Sequence, residues 1–177
     1  MRLRKLELKD APLMLEWMHD ESVVKDMQAD FSSKTLEDCD LFILSSKDML
    51  KNLHLAIVDE NDEYMGTVSL KNIEEDKAEF AITVRKYAMG KGYSRFGMRE
   101  IIRMGLEDMN LSRIYWYVDK NNQRAIKFYD KNGYQRISPE IIGGGYQQSL
   151  YLVSENKIAN MLVASAHTKC KEATNNG

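Results

Sequence analysis

The chain has 177 residues, 44% of them apolar and 29% charged, with a formal net charge of −2. That size fits one domain with a substantial core, and the slightly acidic balance excludes general nucleic-acid binding, which needs a basic stripe. Two cysteines, Cys39 and Cys170, make no disulfide framework. The isolated histidines His19, His54 and His167 lack zinc-ligand spacing, so no metal is expected.

From the N-terminus, RLRKLEL alternates apolar and charged residues, the period of a half-buried strand. Asp10 is placed to cap a helix with Pro12 in its first turn and an apolar face of Leu13, Met14, Trp17 and Met18. A second helical stretch is predicted over Glu21 to Met27. A third starts at Thr35, with Asp38 completing a near-capping box, and runs to about Leu50. LHLAIVD and YMGTVSL read as a hairpin around Glu60-Asn61-Asp62, with AEFAITV as the third strand of a meander.

A glycine turn, YAMGKGY, and a long amphipathic helix, SRFGMREIIRMGLEDM, follow. Next come the strand RIYWYVD, a short helix from about Asn122 to Lys131, the segment YQRIS, a loop at Gly143-Gly144-Gly145 and a last strand, YQQSLYLVS. From Glu155 the chain turns polar; a short helix around Ile158 to Ala166 and a frayed end are expected. MRLRKLELKD carries no signal-peptide apolar run, and no stretch approaches the ~20 apolar residues of a membrane span. A cytoplasmic protein without a membrane partner is the expectation.

A glycine turn between a strand and a helix N-terminus is suited to phosphate, because glycines admit close approach and the first helical N–H groups lack intrahelical partners. The motif Tyr87-Ala88-Met89-Gly90-Lys91-Gly92 matches Gln/Arg-x-x-Gly-x-Gly/Ala, with Tyr87 in place of Gln or Arg. Asn122, Ala125, Tyr129 and Gly133 match Asn-x-x-Ala-x-x-x-Tyr-x-x-x-Gly-Phe, with Tyr134 in place of Phe. On these residues the chain resembles the GNAT superfamily of acyl-CoA-dependent N-acetyltransferases, from RLRKLELKD to about residue 153. The arrangement is most similar to the branch of ribosomal-protein N-terminal, spermidine and nucleotide-amino-sugar acetyltransferases.

The resemblance implies an α/β fold: a mixed, mostly antiparallel sheet splayed at an acetyl-CoA cleft and flanked by helices. Residues 1–154 would form one domain and 155–177 a tail, partly helical and then disordered. The implied reaction is attack of an unprotonated amine on the thioester of acetyl-CoA in a ternary complex. The acceptor would be a polyamine, an amino-sugar nucleotide or a protein N-terminus. The other reading is a catalytically degenerate acyl-CoA-binding or partner-binding module. A dinucleotide-binding Rossmann unit fits poorly, since the glycine turn follows antiparallel strands.

The cofactor-binding set implied is Ile82, Thr83, Val84, Gly90, Lys91, Gly92, Tyr93, Ser94 and Asn122. The N–H groups of residues 90–94 would wrap the diphosphate, with Arg85, Lys86, Lys91, Arg95 and Arg99 adding positive charge. Backbone groups of Ile82, Thr83 and Val84 would pair with pantetheine amides, or else with a neighbouring strand. Asn122 would cap its helix, hold pantetheine, or do both.

Tyr129 would return a proton to the leaving thiolate, or pack in the core with Ala125 and Ile126. Glu79 would accept the amine proton, or be an ordinary surface glutamate, or yield that role to a water chain. Acidic residues from Asp20 to Asp40, and Glu74-Glu75-Asp76, would attract a basic acceptor or form solvated faces. Trp17, Met18, Met27 and Phe31 would wall a pocket or line a core. The final strand would offer a homodimer edge.

Overall fold

A computed structural model describes residues 1–27, 29–47, 50–137 and 148–154. The expected Gly143–Gly145 loop, the helix at 158–166 and the frayed tail lie outside the described residues. The chain divides into two compact units, Met1–Leu111 and Ser112–Gly177.

The first unit is a four-stranded antiparallel sheet in the order β1 (Arg2–Lys5), β2 (Leu53–Val58), β3 (Tyr64–Lys71), β4 (Lys77–Val84). Its helices are α1 (Ala11–Met18), α2 (Glu21–Val24), α3 (Leu36–Ser45) and α4 (Tyr93–Arg103). Both faces of the sheet are covered, which explains why β2 and β3 read as nearly continuous apolar runs. On one face Met14, Trp17, Cys39 and Ile43 pack with Ala56, Val58 and Tyr64. On the other, α4 lies so close that a Cβ on Gly97 would stand 2.4 Å from Ile57 Cδ1 and 3.6 Å from Ile82 Cδ1. Gly66 of β3 is tighter still: a Cβ there would lie 2.4 Å from the Thr83 carbonyl oxygen of β4.

Three local expectations are corrected. Asp10 does not cap α1 through its side chain; it is buried, accepts the Glu7 N–H at 2.9 Å and forms a two-pronged ion pair with Arg4 at 2.7 Å. An ion pair with that geometry outcompetes a cap whose donor is still free to meet water. The helix at Glu21 stops at Val24 rather than Met27, and α3 ends at Ser45 rather than Leu50. The Thr35–Asp38 capping box is present, with Thr35 N–H donating to Asp38 at 2.8 Å and Asp38 N–H to Thr35 Oγ1 at 3.3 Å. Beyond Arg103 the helix widens into a π turn over Met104–Asp108, and Asn110 (φ 56°) reverses the chain.

The second unit holds β5 (Arg113–Asp119), α5 (Gln123–Lys131), β6 (Arg136–Ile137) and β7 (Gln148–Ser154). β7 lies between β5 and β6 and pairs antiparallel with both. Ile114, Trp116 and Val118 of β5 alternate inward, and Trp116 stacks on Tyr151 of β7 with ring centroids 5.4 Å apart. No helix among the described residues is long and apolar enough to cross a membrane.

Candidate active site

In the first unit the site is built where β4 runs into α4. Gly90 (φ 76°) and Gly92 (φ 89°) adopt left-handed backbone that other residues take only at a cost, and Gly92 is the residue before the first helical turn. A Cβ on Gly90 would meet nothing within 4 Å, so the space over the turn is open. Among the described residues the N–H groups of Gly90, Gly92, Tyr93 and Ser94 have no protein acceptor, the arrangement an anion requires. The N–H of Lys91 differs from expectation: it donates to the Ala88 carbonyl at 3.3 Å, closing the turn rather than adding to the donor set.

The charge around the turn also differs from the simple sum. Arg85 is buried and committed to structure. It forms a two-pronged pair with Glu16 of α1 at 2.9 and 3.0 Å, reaches Glu63 at 2.7 Å and donates to the Tyr64 carbonyl at 3.0 Å. Lys86 lies 3.8 Å from Asp20 and Arg99 3.3 Å from Glu100. Lys91 and Arg95 have no carboxylate partner among the described residues. Lys91 instead sits over Tyr87, its Nζ 3.3 Å from the ring centroid.

Along β4, Phe80 and Val84 are buried and Ile82 packs beside α4, so Glu79, Ala81 and Thr83 face the side of α1–α3. Thr83 is in register with Thr67, Ala81 with Ser69, and Glu79 with Lys71. Glu79 is half-buried, and its carboxylate accepts from Lys71 Nζ at 2.9 Å and Asn72 Nδ2 at 3.0 Å. One edge of β4 is taken by β3 from Glu79 to Val84.

Around the helices that follow β1, Trp17 and Met18 are buried, and Met27 and Phe31 pack against that cluster. Trp17 donates to the Tyr64 hydroxyl at 3.2 Å, and that hydroxyl is 2.7 Å from Thr67 Oγ1. Part of the acidic region serves the backbone: Asp20 accepts the Ser22 N–H at 2.9 Å, and Asp30 the Ser32 N–H at 3.0 Å. Those serine donors, with Thr35 for Asp38, hold all three carboxyls below their ordinary pKa.

In the second unit, α5 carries both motif residues. Asn122 caps it, accepting the Ala125 N–H at 3.0 Å. The helix closes with Gly133 (φ 81°), whose N–H reaches the Asp130 carbonyl at 3.0 Å while Tyr134 N–H reaches that of Tyr129 at 3.1 Å. This is a Schellman end, so the motif's Asn and Gly define where the helix starts and stops.

Between them Tyr129 is buried, its ring 5.1 Å from both Trp116 and Tyr151 and 6.4 Å from Tyr134. Burial, with Tyr151 and Tyr134 adding to it, pushes its hydroxyl well above the ordinary phenol value. Among the described residues that hydroxyl has no hydrogen-bond partner, whereas Tyr151 donates to Asp130 at 2.8 Å.

Neither the buried role of Arg85 nor the Lys91–Tyr87 contact was visible in the sequence; the only signal was the tyrosine where a family Gln or Arg is usual. Among the described residues no group of three or more His, Cys, Asp or Glu is arranged to hold a metal.

A family model described as the acetyltransferase (GNAT) domain matches residues 1–135. The chain belongs to the GNAT family. It is 27% identical over 139 residues to an uncharacterized N-acetyltransferase, p20, of Bacillus licheniformis, covering 76% of this chain and 78% of the relative. It is also 27% identical over 155 residues to the spermidine N(1)-acetyltransferase of Escherichia coli K12, covering 84% and 82%. Among solved structures it resembles the spermidine N-acetyltransferase of Vibrio cholerae in complex with CoA and spermine. That match has a TM-score of 0.73 at 19% identity over 88% of this chain and 96% of that one, a likeness of fold. As a GNAT protein the chain is an acetyl-CoA-dependent N-acetyltransferase.

Proposed function

We propose that this GNAT enzyme acetylates a primary amine, with a polyamine as the acceptor class, by direct attack within a ternary complex. The polyamine assignment is supported by the spermidine-acetylating relative and by the solved neighbour named with CoA and spermine.

The free N–H groups of Gly90, Gly92, Tyr93 and Ser94 fit a diphosphate at the positive end of α4. The edge of β4 at Ile82, Thr83 and Val84 would pair with the pantetheine amides, and Asn122 would add a contact from its amide nitrogen, which the cap leaves unused. The amine lone pair attacks the thioester carbonyl carbon, the C–S bond breaks, and the amine proton passes to Glu79 or through a water held by it. Lys71 and Asn72 occupy part of the Glu79 carboxylate and leave acceptor sites for that water. Tyr129 gives its proton to the departing thiolate.

The observation that carries this reading is the placement of Tyr129, a buried residue whose ring is fixed by aromatic packing and whose hydroxyl has no hydrogen-bond partner among the described residues. Its raised pKa keeps it protonated across the neutral range, as a proton donor must be. Tyr129→Phe is expected to lower kcat by about 10²- to 10⁴-fold, the range of a general acid. Acetyl-CoA affinity and the unfolding midpoint should stay as in the wild type, because no hydrogen bond is removed. The assay is free-thiol release with spermidine or spermine, beside amino-sugar nucleotides and basic N-terminal peptides. Wild-type turnover in the phenylalanine variant would refute the assignment of Tyr129. Turnover with the peptides or sugars alone would refute the polyamine assignment.

A further inference from the structure

Tyr87 is the one departure from the family pattern within the glycine motif, and its surroundings give it a task. The short turn Lys86–Ala88 fixes it, with Ala88 N–H donating to the Arg85 carbonyl at 2.9 Å and Met89 N–H to that of Lys86 at 3.1 Å. The ring is 60% exposed, and the Lys91 ammonium stands 3.3 Å from its centroid. Lys91 has turned its N–H inward to Ala88, so its contribution to an anion must come through the side chain. The neighbouring cations Arg85, Lys86 and Arg99 already face carboxylates; of Lys91 and Arg95, which do not among the described residues, Lys91 lies within the turn itself, between the open donors of Gly90 and Gly92.

We propose that Tyr87 and Lys91 act as one unit, the ring holding the Lys91 ammonium over the turn as the side-chain ligand of the acetyl-CoA diphosphate. The proposal rests on the reading of this turn as the diphosphate site. A free lysine on a flexible stem loses rotamer freedom when it binds; one already seated on a ring has lost part of it beforehand. The ring attracts the cation through its negative face without neutralising it, so the charge remains for the phosphates. A carboxylate in that place would cancel the charge. Tyr87 is therefore a positioning residue acting through Lys91.

The test uses the ratio of kcat/KM for acetyl-CoA to that for S-acetylpantetheine, which lacks the diphosphate and nucleotide. In the wild type this ratio should lie well above one. Tyr87→Ala should lower it about 2- to 5-fold, the range of an exposed cation–π pair. Lys91→Met should lower it about 10-fold or more, as expected for a charge-assisted phosphate contact. The double variant should fall no further than Lys91→Met alone, because the ring acts only through the lysine. A ratio unmoved by Tyr87→Ala, or losses that multiply in the double variant, would overturn the pairing while leaving the diphosphate site standing. A wild-type ratio near one would overturn the diphosphate site and the pairing with it. A general loss of fold would depress both donors together and leave the ratio unchanged.

Discussion

Gly66→Ala tests whether the close approach of β3 to β4 sets the edge proposed for the cofactor. Gly66 is in register with Val84, and a Cβ there would stand 2.4 Å from the Thr83 carbonyl oxygen and 2.8 Å from Val84 Cα. Real Cβ atoms essentially never come nearer than 3.0 Å, so the strands must part locally by at least about 0.6 Å. The obstructing atoms are backbone held in a sheet and cannot turn aside as a side-chain tip would. Overpacking of this kind costs about 1–3 kcal/mol, and the upper part of that range applies here. The alanine recovers about 0.4–1 kcal/mol by restricting the unfolded chain, leaving a net loss of about 2 kcal/mol.

For a protein of this length that lowers Tm by about 4–8 °C. The displaced atoms belong to Thr83 and Val84, so the KM for acetyl-CoA should also rise several-fold while the acceptor KM changes less. Thermal unfolding and steady-state kinetics on one preparation read both effects. An alanine variant with wild-type Tm and wild-type acetyl-CoA KM would refute the steric argument and the role given to this edge.

Two further substitutions separate charge from conformation. Asp62 accepts from Lys9 and Arg4, which together hold its carboxyl down to about 2, and it also pairs with Arg2. Its folded pKa is depressed, so its stabilisation is fully present above the unfolded value near 4 and fades as pH falls toward 2. The stability gap between wild type and Asp62→Asn should be constant above about pH 5 and shrink on acidification. Asparagine tolerates the φ of 66° at this position, so the turn is kept, and a pH-independent gap in chemical denaturation would refute the ion-pair account. Gly133→Ala places a Cβ in open space at a φ of 81°, so the cost is conformational alone, about 1–2 kcal/mol. An unchanged denaturation midpoint would show that the helix end does not depend on that glycine.

Much of the fold was legible because its signals are local. The Thr35–Asp38 box, the hairpin at Glu60–Asp62, and Asn122 and Gly133 at the ends of α5 are each set by residues a few positions apart, where backbone preferences dominate. The glycine turn was legible for the same reason, since positive φ at Gly90 and Gly92 is a property of the glycines themselves. What escaped the sequence depends on partners far along the chain. Arg85 reads as one more cation by the phosphate turn until Glu16, 69 residues away, claims it.

The same holds for the site. Sequence alone placed Tyr129 on a helix and Glu79 on a strand, and it left core, surface and catalysis open for each. Tertiary structure decided that Tyr129 is a buried residue packed among aromatic rings and that Glu79 is held by Lys71 and Asn72. Gly66 and Gly97 carry no motif, and only the packed sheet shows that a single methyl at either would collide with a neighbouring element. Backbone conformation is written residue by residue, so the sequence determined the turn and the helix ends. Burial, ion pairing and steric closeness are properties of pairs brought together by folding, and those the tertiary structure alone decided.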